Sequence, residues 1–253
     1  MDRLQRPVWY FAGFGLAGLI SASALIIADD HHCIPRLAPF AWVGITFGFF
    51  IAICFWIYVG LQSIGKQALF ICSCTVAYYL SVLVANVWDS HVPALNSLRW
   101  GNWGPGAEVF FVAGWVGGFV VLAAALLILL PQQAAWRVLL KAAGWSLVGG
   151  ILGALGYVME RFSVEQPYRW LQVIGNASLF VIWQTGMALL LALAFRLEHG
   201  SSNARPVQDT LAGNTGVRPS YSSSALRVIF FATILILLAY FVQWDLRASM
   251  HHL

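Results

Sequence analysis

The chain has 253 residues, of which 60% are hydrophobic and 9% charged, and its net charge is +4. A water-soluble domain carries about 25% charged residues, so most of this surface faces something other than water. No long basic tract or nucleic-acid motif is present, so no nucleic-acid partner is expected. The four cysteines, Cys33, Cys54, Cys72 and Cys74, provide no disulfide framework.

Seven apolar runs follow one another, at about residues 8–28, 39–61, 68–88, 108–130, 138–159, 174–195 and 226–244. Each is roughly 19–23 residues, the length a helix needs to cross the ~30 Å hydrocarbon core of a bilayer. The clearest is Val109–Leu130, whose 22 residues hold no charge and one hydrogen-bonding side chain, the indole of Trp115. Porin strands are about 10 residues long and alternate polar with apolar, unlike these runs. The expected fold is all-α: a polytopic integral membrane protein with a seven-helix transmembrane bundle.

The first run begins after Arg3 and Arg6, as a signal peptide would. It is followed by Asp29, Asp30, His31 and His32 rather than a small-residue cleavage site, so it reads as a retained helix. Residues 30–33 spell Asp-His-His-Cys, which resembles the signature of protein palmitoyltransferases. That family surrounds its motif with a cysteine- and histidine-rich zinc domain, and the remaining cysteines here lie inside apolar runs. The match is therefore read as accidental.

Orientation follows Lys and Arg near the membrane. With the N-terminus inside, nine basic residues fall in cytoplasmic segments and five outside, giving N-in and C-out. If the source is bacterial, the membrane is the inner one. Trp and Tyr at the ends of the runs, such as Trp9, Tyr10, Trp56, Tyr58 and Trp244, sit where headgroup anchors belong. The stretch 197–225 is rich in Ser, Gly, Asn and Pro and reads as a flexible cytoplasmic linker. It divides a six-helix core, 1–196, from a seventh helix with a short outer tail, 226–253.

A shift of 101 residues aligns Val8, Ala12, Gly13, Ala22 and Leu25 with Val109, Ala113, Gly114, Ala123 and Leu126. A shift of 110 aligns Ile64-Gly65 and Leu69-Phe70 with Ile174-Gly175 and Leu179-Phe180. These matches raise a duplication of three helices, which three crossings per unit would make an inverted 3+3 repeat plus one helix. In the fifth run Gly149 and Gly153 form a G-x-x-x-G. With Gly114, Gly117 and Gly118 it predicts close helix contact.

Two sets of residues could carry chemistry. On the outer face, Asp29, Asp30, His31, His32, His91 and Glu108 combine carboxylates with imidazoles, a donor set suited to a divalent metal such as Zn, Mn or Fe. The bland alternative is a solvated set of helix ends. At depth the polar groups are uncharged: Asn176, Gln184 and Thr185 in the sixth run and Asn86 in the third. Asn176, Phe180 and Gln184 are four apart and share one face. Such a stripe lines a solute path or hydrogen-bonds a neighbouring helix. No histidine lies at depth for a b-type haem, and the last run has no lysine for retinal.

The leading functional expectation is a small-solute permease or channel-like protein for an uncharged or weakly charged solute. The alternatives are a non-catalytic subunit of a membrane complex and a membrane-embedded enzyme with an outer-face His/carboxylate site. The expected partners are the lipid bilayer and either partner subunits or further copies of the chain.

Overall fold

A backbone out of water must bond its own amides, so each apolar run folds as one helix. The computed structural model describes residues 7–30, 39–91, 106–131, 133–164, 169–203 and 221–250. The helices are α1 (Pro7–Asp30), α2 (Pro39–Cys54), α3 (Ile64–His91), α4 (Ala107–Leu129), α5 (Ala135–Val164), α6 (Arg169–Asn203) and α7 (Tyr221–Met250). Six are long and apolar enough to cross a membrane, and the seventh, α1, has an apolar stretch at Val8–Ser23. The chain is therefore a multi-pass integral membrane protein with an all-α bundle. Helices α6 and α7 run several residues into the stretch read as a linker; residues 204–220 lie outside those described.

Helix α2 continues as a π-helical turn, Phe55–Val59. Gly60 stops it with φ of 74°, a left-handed conformation that costs glycine nothing, and its N–H bonds the Phe55 carbonyl. Only three residues separate that cap from α3, so α2 and α3 pack as an antiparallel hairpin.

The first six helices form a closed ring in chain order. Each packs on the next, and α6 returns to α1. Glycines set the closest crossings. A Cβ on Gly114 would stand 2.5 Å from the Gly149 carbonyl oxygen, and one on Gly18 would stand 2.7 Å from the Gln184 carbonyl oxygen. Gly149 and Gly153 thus seat α5 directly on α4, as the G-x-x-x-G predicts, and Gly18 closes the ring. An in-plane two-fold between α1–α3 and α4–α6 would reverse the helix order, seating α3 beside α6 and α1 beside α4. Here α3 adjoins α4 and α6 adjoins α1, so the duplication suggested by the sequence shifts is not visible in the helix order.

Helix α7 lies outside the ring against α3 and α5, the two neighbours of α4. One seam faces inward, through Arg227, Phe230, Ile234, Leu237 and Phe241, with Phe241 stacked on Tyr79 at 4.8 Å. The other faces carry exposed Val228, Ile229, Ile236 and Tyr240. Residues Val120–Ile128 of α4 are all buried, more than two turns with no open side, which is what a cover of α7 over a ring helix produces.

Candidate functional site

Most hydroxyls at depth have a local use. With no water to bond, they turn back on their own helix: Thr46 to the Trp42 carbonyl (2.7 Å), Thr75 to Ile71 (3.0 Å), Ser73 to Leu69 (2.8 Å) and Thr233 to Ile229 (2.9 Å). Lys141 turns its ammonium toward the start of α5, where it donates to Gln133 Oε1 at 3.2 Å. The Trp115 indole N–H donates across to the Ala143 carbonyl at 3.3 Å, tying α4 to α5.

A smaller set of polar groups joins different helices in the middle of the bundle. Gln184 is fully buried, with Nε2 at 3.1 Å from the Tyr78 phenol of α3 and its side-chain oxygen against Ser21 Oγ of α1. Ser21 Oγ also lies 2.8 Å from the Gly18 carbonyl. One hydroxyl hydrogen cannot serve both acceptors. With the amide turned over, Gln184 donates one of its two N–H hydrogens to Ser21, Ser21 donates to Gly18, and the Tyr78 phenol donates to Gln184 Oε1, so both hydroxyl hydrogens have an acceptor. Gln184 is thus the link from α3 to α1.

Its two neighbours in sequence are less well served. The Trp183 indole N–H and the Thr185 hydroxyl are both buried without a hydrogen-bond partner. An unsatisfied buried donor costs about 1–3 kcal/mol, and such groups in a folded protein call for an explanation. Trp183 is 7% exposed, with its ring against Phe47 (5.9 Å) and edge-on to Tyr78 (5.6 Å).

Trp183 also lines a cavity of about 280 Å³ between α3, α4, α5 and α6. That is the liquid volume of roughly nine waters, at the small end of ligand pockets. Helix α3 contributes Tyr78, Ser81, Val82 and Ala85, and α6 contributes Leu179, Phe180 and Trp183. Helix α4 contributes Phe110, Ala113 and Gly114, and α5 contributes Gly153; at the two glycines the wall is backbone, so the glycines that draw these helices together also leave space beside them. Four of the eleven lining residues are aromatic, Tyr78, Phe110, Phe180 and Trp183; Phe180 stacks on Tyr78 at 6.4 Å, and Phe110 is held from behind by Tyr157 at 4.5 Å. No lining side chain is charged. The Ser81 hydroxyl, within reach of the Ala77 (2.8 Å) and Ala113 (3.0 Å) carbonyls, keeps lone pairs for a further donor.

The cavity lies toward the end of the bundle where α3 and α5 finish and α4 and α6 begin. The opposite half is filled. Phe55, in the π-helical turn, meets Phe14 of α1 at 5.8 Å, Phe70 of α3 at 5.1 Å and Phe195 of α6 at 5.2 Å. The cavity is a pocket with an aromatic plug beneath it.

Of the residues singled out from the sequence, Gln184 and Thr185 follow Trp183 along α6, pack against Gly18 of α1 and are not among the residues that line the cavity. Asn86 and Asn176 belong to α3 and α6, but their side chains lie outside those described. The outer-face set is only partly placed. Asp29 and Asp30 end α1 and His91 ends α3, again without described side chains, and His31 and His32 fall outside the described residues. Glu108 is exposed in the first turn of α4 and accepts the Gly106 N–H at 3.2 Å, a helix-capping role. Among the described residues no three of His, Cys, Asp and Glu come together. Sequence reading assigned most tryptophans to the headgroups and so passed over Trp183. The signal was its position: the middle of the sixth run is as far from a headgroup as an indole can be.

No family model matches the chain, and no curated protein or solved structure is similar to it.

Proposed function

We propose that the protein is a small-solute permease and that the cavity between α3, α4, α5 and α6 is its solute site. The observation that supports this most is an uncharged, half-open cavity among four helices of a membrane bundle, with four aromatic side chains in its lining and a buried, unpartnered N–H on one of them, Trp183. A solvated ion would lose its hydration there with no charge to replace it, so the solute is neutral. The Phe14–Phe55–Phe70–Phe195 plug closes the other half, which favours a carrier that rearranges over an open channel. On the N-in orientation read from the basic residues, the cavity belongs to the outer half of the membrane.

Uptake of benzamide, a neutral ring amide, into proteoliposomes tests the reading. Protein-dependent uptake should saturate and should be lost in Ala85→Phe, which fills the cavity from α3. Uptake equal to that of protein-free liposomes contradicts it.

A further inference from the structure

We infer that the site selects a flat neutral ring carrying a hydrogen-bond acceptor, and that the indole N–H of Trp183 is the group that reads this acceptor. The inference rests on the reading of the cavity as a solute site and names the class of solute it takes.

Three observations meet at one place. The first is the donor. Trp183 is nine-tenths buried, lines the cavity, and has no acceptor for its N–H. Indole nitrogen donates only, so a water or ligand satisfying it must present oxygen or another lone pair. The second is the wall. Tyr78, Phe110 and Phe180 join Trp183 around the space, and stacked or edge-on contact with such rings favours a flat partner over a branched one. The third is the approach of Ser81 to the indole. A Cβ placed on Gly117, behind the lining, would press on Ser81 Oγ and stand 3.4 Å from Trp183 Cζ2, the six-membered-ring carbon next to the one that carries the N–H, so the Ser81 hydroxyl and that edge of the indole converge over this glycine. A ligand carbonyl or hydroxyl accepting from Trp183 would lie near Ser81, and a hydroxyl or amide hydrogen on the same ligand would find the Ser81 lone pairs.

The polar network beneath does not compete for the indole. Gln184 is committed to Ser21 and Tyr78, and the Ser81 hydrogen has two backbone carbonyls within 3.0 Å. Trp183 is therefore left as the donor of the cavity wall.

The test is a matched pair of probes, acetophenone and α-methylstyrene, which differ by one oxygen in place of a methylene group. Binding of each is measured to the full chain in lipid nanodiscs, for wild type, Trp183→Phe and Ala85→Phe. The expected result is about a tenfold preference of wild type for acetophenone, the value of one buried hydrogen bond. Trp183→Phe should bind the two equally, and Ala85→Phe neither. Equal binding of both probes by wild type, still lost in Ala85→Phe, overturns the selectivity and leaves the solute site standing. No saturable binding of either probe overturns both. The wild-type comparison decides the selectivity even if Trp183→Phe does not fold, and Trp183→Leu then serves as the variant without the donor.

Discussion

Gln184 shows how one side chain can be worth more than its bonds. A hydrogen bond between helices in a membrane averages about 0.6 kcal/mol, because the separated helices also find partners. Replacing Gln184 by Leu does more than delete two such bonds: it leaves the Tyr78 phenol and the Ser21 hydroxyl buried beside an apolar group. Gln184→Leu should therefore cost about 2 kcal/mol in unfolding from mixed detergent, and Ser21→Ala, whose loss leaves Tyr78 served, about half that. The double variant Ser21→Ala/Gln184→Leu should cost less than the sum, since each change removes the other's partner. Additive losses would mean the contact carries no coupling. The sequence marked Gln184 as polar at depth. It did not reveal the partner, because Ser21 is 163 positions away and looks like any other helical serine.

At the scale of elements, the glycines divide into two kinds. Gly153 and Gly114 are where α4 and α5 touch, while a Cβ on Gly144 of the same helix would meet nothing within 4 Å. Gly144→Ala should raise stability by roughly 0.5–1 kcal/mol through helix propensity. Gly153→Val should lower it by 2 kcal/mol or more, since the backbone of α4 would have to move. Melting temperatures of the two variants in one detergent check the contrast. The G-x-x-x-G at Gly149 and Gly153 was legible in the sequence because it is a spacing within one helix. The π-helical turn at Phe55–Val59 was not, because no residue type marks one.

The same scale explains how a peripheral helix stays attached. Arg227 of α7 reaches the last turn of α4 with its guanidinium, donating to the Leu127, Leu130 and Gln133 carbonyls, the latter two at 2.9 and 2.6 Å. They belong to the last turn of α4 and the turn that follows it, where Leu130 also accepts the Gln133 N–H at 3.2 Å, and a cation there meets the negative end of the helix dipole. An ammonium is a point charge and cannot reproduce the fork. Arg227→Leu should speed amide exchange in the last turn of α4 and the first turns of α7 roughly tenfold, with α1 and α2, which do not pack on α7, unchanged. Arg227→Lys should restore part of the protection. Exchange that stays at the wild-type rate would assign the attachment of α7 to its apolar seam alone.

For the whole molecule, composition carried the fold class and left the site open. Seven apolar runs predict seven helices; with α2 counted through its π-helical turn, the helix bounds agree with the runs to within about six residues except at the end of α6, which reaches Asn203 against a run ending at 195. The closure of the ring depends on α1 meeting α6, a contact that no local pattern encodes. The cavity depends on four helices at once and on two glycines that are read from the sequence only as packing residues. Gln184 and Thr185, chosen as polar groups at depth, follow Trp183 in the chain and do not line the cavity themselves. Asn176 and Phe180 share their face, and of the two it is Phe180 whose described side chain reaches the cavity wall. A mid-run tryptophan beside a mid-run glutamine was the strongest local sign, and it is visible only once interface anchoring is ruled out for that position.

The central claim is that this bundle holds one neutral solute in that cavity. The most direct test is equilibrium dialysis of radiolabelled benzamide against purified protein in nanodiscs, beside empty nanodiscs and the Ala85→Phe variant. The account predicts saturable binding of one molecule per chain that disappears in Ala85→Phe while the variant keeps its melting temperature. Uptake that rises linearly with concentration and matches empty nanodiscs would contradict it, and the space between α3 and α6 would then be a packing defect with no solute.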